Sequence, residues 1–294
     1  MIRPFRMITA VTFLVVAIVV SGCQSQGSGE VPASLGIPLG APSVTPVAYA
    51  PQQPVARAKS ALVVDATTGR ELYAVDADAP RYPASLTKLM TLYILFDEIK
   101  ARRLTLNTRL PVSAEAASQP PVRIGVEAGT TITVQQSIRA LAVKSANDVS
   151  VVVAEAISGS EEAFAVRMTD QARTLGLSGT RFANASGLPG AANVTTARDM
   201  AKLALIMKQR FPQYGAYFSA QTFTYDGRTF EATNNLLGTV PGVDGMKTGY
   251  IRASGFNLVA TASRGRRKLI VVVIGGASKQ ARDAEATALI ETYS

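Results

Sequence analysis

Pro83-Ala84-Ser85-Leu86-Thr87-Lys88 opens an apolar run made of Leu86, Leu89, Met90, Tyr93, Ile94 and Phe96, and the rest of the chain is read outward from it. The spacing is that of a helix, on which positions i and i+3 share a face. Proline is not tolerated deep inside a helix, so Ser85 falls at or near the first turn. There its oxygen lies beside unpaired backbone N–H groups and the positive end of the helix dipole. Lys88 is one turn further on and can reach that oxygen. Alone, Ser-x-x-Lys is equally the pattern of a capping serine followed by an ordinary surface lysine.

Composition narrows the chemistry. The 294 residues, 47% of them apolar, suffice for one large domain or two small ones. There is no histidine, which excludes Ser-His-Asp and Cys-His mechanisms and histidine metal sites. Cys23 is the single cysteine, so there is neither an internal disulfide nor a cysteine-rich metal centre. No cofactor is expected. A hydrolase built from this chain must take its base from lysine, aspartate, glutamate or tyrosine. The net charge of +9 suits nucleic acid, anionic lipid or an anionic polymer such as a cell wall. The one dense basic run, Arg264-Gly265-Arg266-Arg267-Lys268, reads as a solvated hairpin tip, and nucleic acid is not expected as a partner.

Arg3 and Arg6 precede an uncharged apolar run from Met7 to Val20, short for a membrane span and suited to an export signal. Val20-Ser21-Gly22-Cys23 follows and resembles a bacterial lipobox, with valine where leucine is more usual. Residues 1–22 are therefore expected to be a signal peptide removed before a lipidated Cys23. Ala48-Tyr49-Ala50 is a second possible cleavage site, far from the apolar run. Residues 23–56, rich in proline, glycine and serine, read as a flexible tether, and residues 57–294 as the folded domain.

In that domain, Ser60–Asp65 and Glu71–Val75 read as a hairpin. Helices are expected from Ser85 to about Lys100, from Val134 to Lys144, from Val149 to Ile157, from Glu161 to Leu175, and from Ala197 to Lys208. Leu104–Arg123 reads as irregular, with short strand-like pieces. Asp226-Gly227 joins two strand-like runs, another hairpin signal. Gly245–Ile251, Gly255–Ala262 and Lys268–Ile274 read as antiparallel neighbours, and Lys279–Tyr293 as a closing helix. With strands at both ends and helices between, the expected fold is α+β: one antiparallel sheet flanked by helices, with an inserted helical lobe and a cleft where the two meet.

Two further short patterns fall at that cleft, Ser145-Ala146-Asn147 and Lys247-Thr248-Gly249. Each alone also reads as a turn or an edge strand. In order behind an export signal, and without histidine, the three are far more specific. They resemble the serine penicillin-recognising enzymes, specifically the D-alanyl-D-alanine carboxypeptidases among the low-molecular-mass penicillin-binding proteins. Pro83–Thr91, Phe182-Ala183-Asn184 with Gly187-Leu188, Thr196–Met200, Val243–Gly249 and Gly255–Val259 extend the resemblance across residues 57–294.

The resemblance implies a β-lactamase-like fold and an acyl-enzyme on Ser85, with Lys88 as base. Burial and the charge of Lys247 would keep Lys88 neutral. Ser145 would relay a proton to the leaving amine, and Asn147 would hold substrate and lysine. The backbone N–H groups of Ser85 and Tyr250 would form the oxyanion hole. Histidine is common in the family at the Tyr250 position, and only its backbone is needed. Lys247, Thr248 and Gly249 would bind substrate, with the cation and hydroxyl suited to a carboxylate. Arg282, after Gly275-Gly276, takes the family's carboxylate-recognising role by its spacing; otherwise it is an exposed helix arginine.

The implied substrate is the D-Ala-D-Ala end of peptidoglycan stem peptides, with β-lactams as inhibitors. A class A β-lactamase would need a glutamate on the loop before the third motif, and residues 171–198 contain neither Asp nor Glu. Asp199 reads as structural. A DD-endopeptidase cutting cross-links would use the same site. A transpeptidase would be expected to carry a large extra domain. Many relatives have a C-terminal β domain and membrane anchor; with the chain ending at Ser294, lipid on Cys23 is expected to hold it at a membrane, outside the cytoplasm.

Overall fold

The computed structural model describes residues 56–189 and 193–294. The expected signal peptide, Cys23 and all of the tether except Ala56 lie outside these residues.

Strand β1 (Ser60–Asp65) is apolar almost without interruption and buried at every position. Such a run belongs in the interior of a sheet covered on both faces. It pairs antiparallel with β2 (Glu71–Val75) on one side and with β9 (Arg267–Gly276) on the other. Beyond β9 come β8 (Gly255–Arg264) and β7 (Val243–Ile251), also antiparallel, giving the order β2-β1-β9-β8-β7. The two ends of the chain thus build one sheet, and β7 is its far edge.

Side-chain alternation divides the sheet into two faces. Val63, Leu258, Ala260, Val271 and Val273 pack under Ala286 and Ile290 of the last helix, α8 (Lys279–Tyr293). Leu62, Val64, Val259, Ile270, Val272 and Ile274 join the larger core with the other helices. At its centre is α1 (Lys88–Lys100), which follows a tight 3-10 turn at Ala84–Thr87. Lys88 through Phe96 are all buried, so α1 is covered on every side, whereas the sequence pattern indicated one apolar face.

The helical lobe is inserted after α1. Leu104–Arg123, expected to be irregular with short strand-like pieces, contains one such strand, β3 (Arg109–Pro111), and also a short helix that was not expected, α2 (Ala114–Ser118), capped by the Ser113 hydroxyl. Five residues are too few to register as a periodicity. β3 pairs with β4 (Thr131–Thr133). The single helix expected over 134–144 is two pieces. Helix α3 (Val134–Arg139) starts on a capping box of Thr133 and Gln136, then widens into a π-helical turn at Ala140–Lys144. Ser145 ends that turn in the left-handed region, φ 66°. The lobe is completed by α4 (Asn147–Ser158) and α5 (Glu161–Thr174), whose Val149, Val152, Phe164 and Met168 enter the same core as α1.

After the loop that follows α5, the Thr196 side chain caps α6 (Ala197–Arg210). Aromatic contacts, Tyr93 with Phe211 and Phe96 with Tyr214, tie α1 to the segment leading into α7 (Gly215–Ser219). The hairpin expected around Asp226-Gly227 is β5 (Thr222–Tyr225) with β6 (Arg228–Glu231).

Candidate active site

The 3-10 turn that carries Ser85 is held against the sheet by backbone and amide contacts. Asn257, buried on β8, donates through Nδ2 to the carbonyls of Tyr82 and Pro83 at 3.0 and 3.1 Å, and its Oδ1 accepts the Gly275 N–H at 3.0 Å. Gly249 on β7 faces the same turn. A Cβ there would stand 3.0 Å from both Pro83 O and Ser85 N, so any side chain would press the strand and the turn apart by a few tenths of an ångström. The Ser85 N–H, in the first turn of its 3-10 helix, has no intrahelical acceptor and lies beside the β7 backbone.

Lys88 is fully buried, and its Nζ is surrounded by three oxygens: Ser85 Oγ at 3.0 Å, Asn147 Oδ1 at 2.8 Å and the Ser186 carbonyl at 2.7 Å. Burial, reinforced by the charge of Lys247, holds the amine far below the usual ammonium range against the opposing pull of Asp148 and Glu161. The amide and peptide oxygens can only accept. In its neutral form the amine would have two N–H groups for them and one lone pair left to accept from the hydroxyl of Ser85, 3.0 Å away.

The orientation of Asn147 is set from behind. Its Nδ2 donates to Pro120 O at 3.2 Å and its backbone N–H to Val122 O at 2.7 Å, which leaves Oδ1 facing Lys88. The segment that supplies these carbonyls is in turn ordered by Asp148, whose carboxylate accepts the N–H groups of Ile124, Gly125 and Val126. Ser145 sits at the junction of the π turn and α4, nearly buried. Its hydroxyl forms no hydrogen bond among the described residues.

On β7, Lys247 is buried, with its ammonium on the Thr248 carbonyl at 2.9 Å. Burial, with the charge of Arg282, pushes it down to about 7. The Thr248 hydroxyl donates to Thr233 Oγ1 at 2.7 Å. Arg282 is only 2% exposed, unlike a surface helix arginine; it donates to Asn257 O at 2.9 Å and to the Asp283 carboxylate at 2.7 Å. Its own pKa is lowered by burial. Lys247 thus feels the charge of Arg282, and two buried basic side chains of this kind suit an anion. Tyr250 is 51% exposed and rests on Phe256, with ring centroids 4.4 Å apart.

The structure thus gathers Ser85, Lys88 and Asn147 into one hydrogen-bonded group, with Gly249 against its turn. Lys247, Thr248 and Arg282 line the adjoining strand and helix. The sequence reading gave no site role to Ser186, Thr233, Asn257, Asp148 or Glu161. The first contributes a backbone carbonyl, which no residue type reveals. The others are common polar residues whose roles arise only from packing. Asp199, expected to be structural, accepts from the Thr180 hydroxyl and the Gly179 N–H. Hollows of about 380 and 530 Å³, under β7 and beside the start of α6, contain none of the catalytic candidates.

This sheet with its helical insert is the fold of penicillin-binding proteins and DD-transpeptidases. The chain belongs to the D-alanyl-D-alanine carboxypeptidase family, which it matches over residues 47–278. It is 34% identical over 243 residues to D-alanyl-D-alanine carboxypeptidase DacF of Bacillus subtilis, covering 80% of this chain and 61% of the relative. With DacD of Escherichia coli it shares 35% over 251 residues, covering 83% and 65%. The chain therefore spans just under two thirds of these relatives' lengths. The crystal structure of penicillin-binding protein D2 from Listeria monocytogenes in its ampicillin-bound form superposes with a TM-score of 0.71 at 30% identity, covering 81% of this chain and 98% of that one.

Proposed function

We propose that the protein is a serine-type D-Ala-D-Ala carboxypeptidase acting on peptidoglycan stem peptides outside the cytoplasm, and that β-lactams inhibit it. The observation that carries this reading is the buried Lys88 amine, 3.0 Å from Ser85 Oγ with its other two partners both acceptors.

Ser85 attacks the carbonyl of the penultimate D-alanine while Lys88 takes its proton. The N–H groups of Ser85 and Tyr250 stabilise the oxyanion. Protonation of the leaving amine, relayed by Ser145, releases D-alanine and leaves an ester on Ser85. Water then hydrolyses the ester. Lys247, Thr248 and Arg282 bind the terminal carboxylate, Asn147 holds the peptide, and Gly249 lets the strand approach. The lipid-anchor reading of Cys23 belongs to the same proposal: it would hold residues 57–294 at a membrane by a flexible tether.

Labelling with a fluorescent penicillin, wild type against Ser85→Ala, tests the reading. A Ser85-dependent adduct is expected, and its absence sinks the assignment. Release of D-alanine from a pentapeptide, compared with cleavage of a cross-linked dimer, then separates carboxypeptidase from DD-endopeptidase. For the anchor, Cys23→Ser should free the exported protein from the membrane fraction.

A further inference from the structure

Glu161 is the first residue of α5 and is partly buried. Its Oε1 accepts the Ala185 N–H at 2.9 Å. The Ala185 carbonyl accepts the Thr91 hydroxyl of α1 at 2.7 Å. The next carbonyl along, Ser186 O, is the one that takes a Lys88 N–H. Gly187 then packs directly on Ala84, one residue before the nucleophile. Three consecutive residues of this loop are thus clamped onto the turn and helix that carry Ser85 and Lys88. Glu161 is the clamp from the opposite side, and it is the charged one.

We propose that Glu161 is a positioning residue for Lys88: its carboxylate pins the Ala185–Ser186 segment whose carbonyl accepts a Lys88 N–H, and supplies negative charge opposite Lys247. The inference rests on the acylation chemistry proposed above. The groups acting on Lys88 are Lys247 from β7, Asp148 from α4 and Glu161 from α5. Those acting on Glu161 are Lys88 from α1, Glu115 from α2 and its neighbour Glu162. Burial raises the Glu161 carboxyl above its usual range, which places its titration nearer to neutrality.

The sign follows from the role of Lys88. Acylation needs the neutral amine, so its rate climbs as pH rises through the Lys88 titration. An ionised Glu161 favours the ammonium and holds that climb at higher pH. Glu161→Gln keeps an oxygen for the Ala185 N–H and removes only the charge. Thr91→Val removes a clamp contact and no charge.

The experiment is the rate of fluorescent-penicillin acylation from pH 5 to 9 on the full chain, with thermal melts to verify folding. In Glu161→Gln the acidic limb should move to lower pH, by roughly one unit for a separation of about 12 Å at an effective dielectric near 20. In Thr91→Val the rate should fall at every pH with the limb in place. In Glu161→Ala both effects should appear together. A wild type with no Ser85-dependent adduct overturns the underlying reading. A normal adduct with the Gln limb superimposed on the wild-type limb overturns the inference alone.

Discussion

Gly187 and Ala84 are in backbone contact: a Cβ on Gly187 would stand 1.9 Å from the Ala84 carbonyl oxygen. The loop that presents Ser186 O and the turn that presents Ser85 are therefore fitted to one another without an intervening side chain. Gly187 also has φ +80°, where other residues are strained. Gly187→Ala combines a clash with a disfavoured conformation and should destabilise the fold by roughly 3 kcal/mol or more. Urea unfolding measures this, and the rate of penicillin labelling should fall with it.

Lys88→Met should separate catalysis from stability. Removal of the general base is expected to slow acylation by about 10²–10⁴-fold. Replacement of the fully buried Lys88 by an apolar chain of similar length removes the cost of burying the amine but leaves Asn147 Oδ1 and the Ser186 carbonyl without a donor. The melting temperature should therefore fall by only a few degrees, at ~1–3 kcal/mol for an unmade buried hydrogen bond, with the fold intact. Stopped-flow labelling and calorimetry on the same samples check both. A variant that is slow because it has unfolded would contradict the expectation.

Lys247 couples ligand binding to protons. Its pKa is pushed down to about 7, so above neutrality Lys247 itself is mostly uncharged in the free protein. A bound carboxylate favours the ammonium, so a peptide ending in a free carboxylate should take up to about one proton per site between pH 7 and 9. Titration calorimetry in two buffers of different ionisation enthalpy reads this directly. Stability has a related sign. The unfolded lysine titrates near 10.4, so between about 7 and 10 the unfolded chain holds more protons and stability rises with pH. Lys247→Met should flatten that slope.

Arg282→Leu should raise KM for a D-Ala-D-Ala peptide by roughly tenfold or more, with a smaller change in kcat, as expected when a contact is made equally in ground and transition states. A substrate whose terminal carboxylate is amidated should lose the difference between wild type and variant. Equal losses for both substrates would mean that the arginine acts through its contact to Asn257 instead.

How far these sites could be read without coordinates depends on what kind of atom does the work. Ser85 and Lys88 were legible because three residues of helical spacing put them together and Pro83 fixed where the helix starts. The sheet was legible because β1 and β9 are largely apolar runs and short turns join β7, β8 and β9. Asn147 and Lys247 are distant in sequence, and only the order of three short motifs joined them. Ser186 was out of reach, since a peptide carbonyl leaves no trace in residue type. The burial of Arg282 was also hidden: an arginine beside Asp283 near a helix start looks like a surface ion pair. The short α2 and the π turn after α3 fell below the length at which periodicity speaks.

The interior place of β1 bears on how the molecule comes into being. Ser60 pairs with Ile274 and Asp65 with Leu269, so the first strand meets its main partner about two hundred residues further along. Until β8 and β9 exist, β1 and β2 form an isolated hairpin, which is marginal in water. The turn of Ser85 has no Asn257 to fasten it, and the nucleophile has no strand beside it. Reactivity therefore arrives late and all at once, when the carboxyl-terminal fifth of the polypeptide docks. A chain caught short of that point should be inert towards penicillin, however much of its helical lobe has already formed.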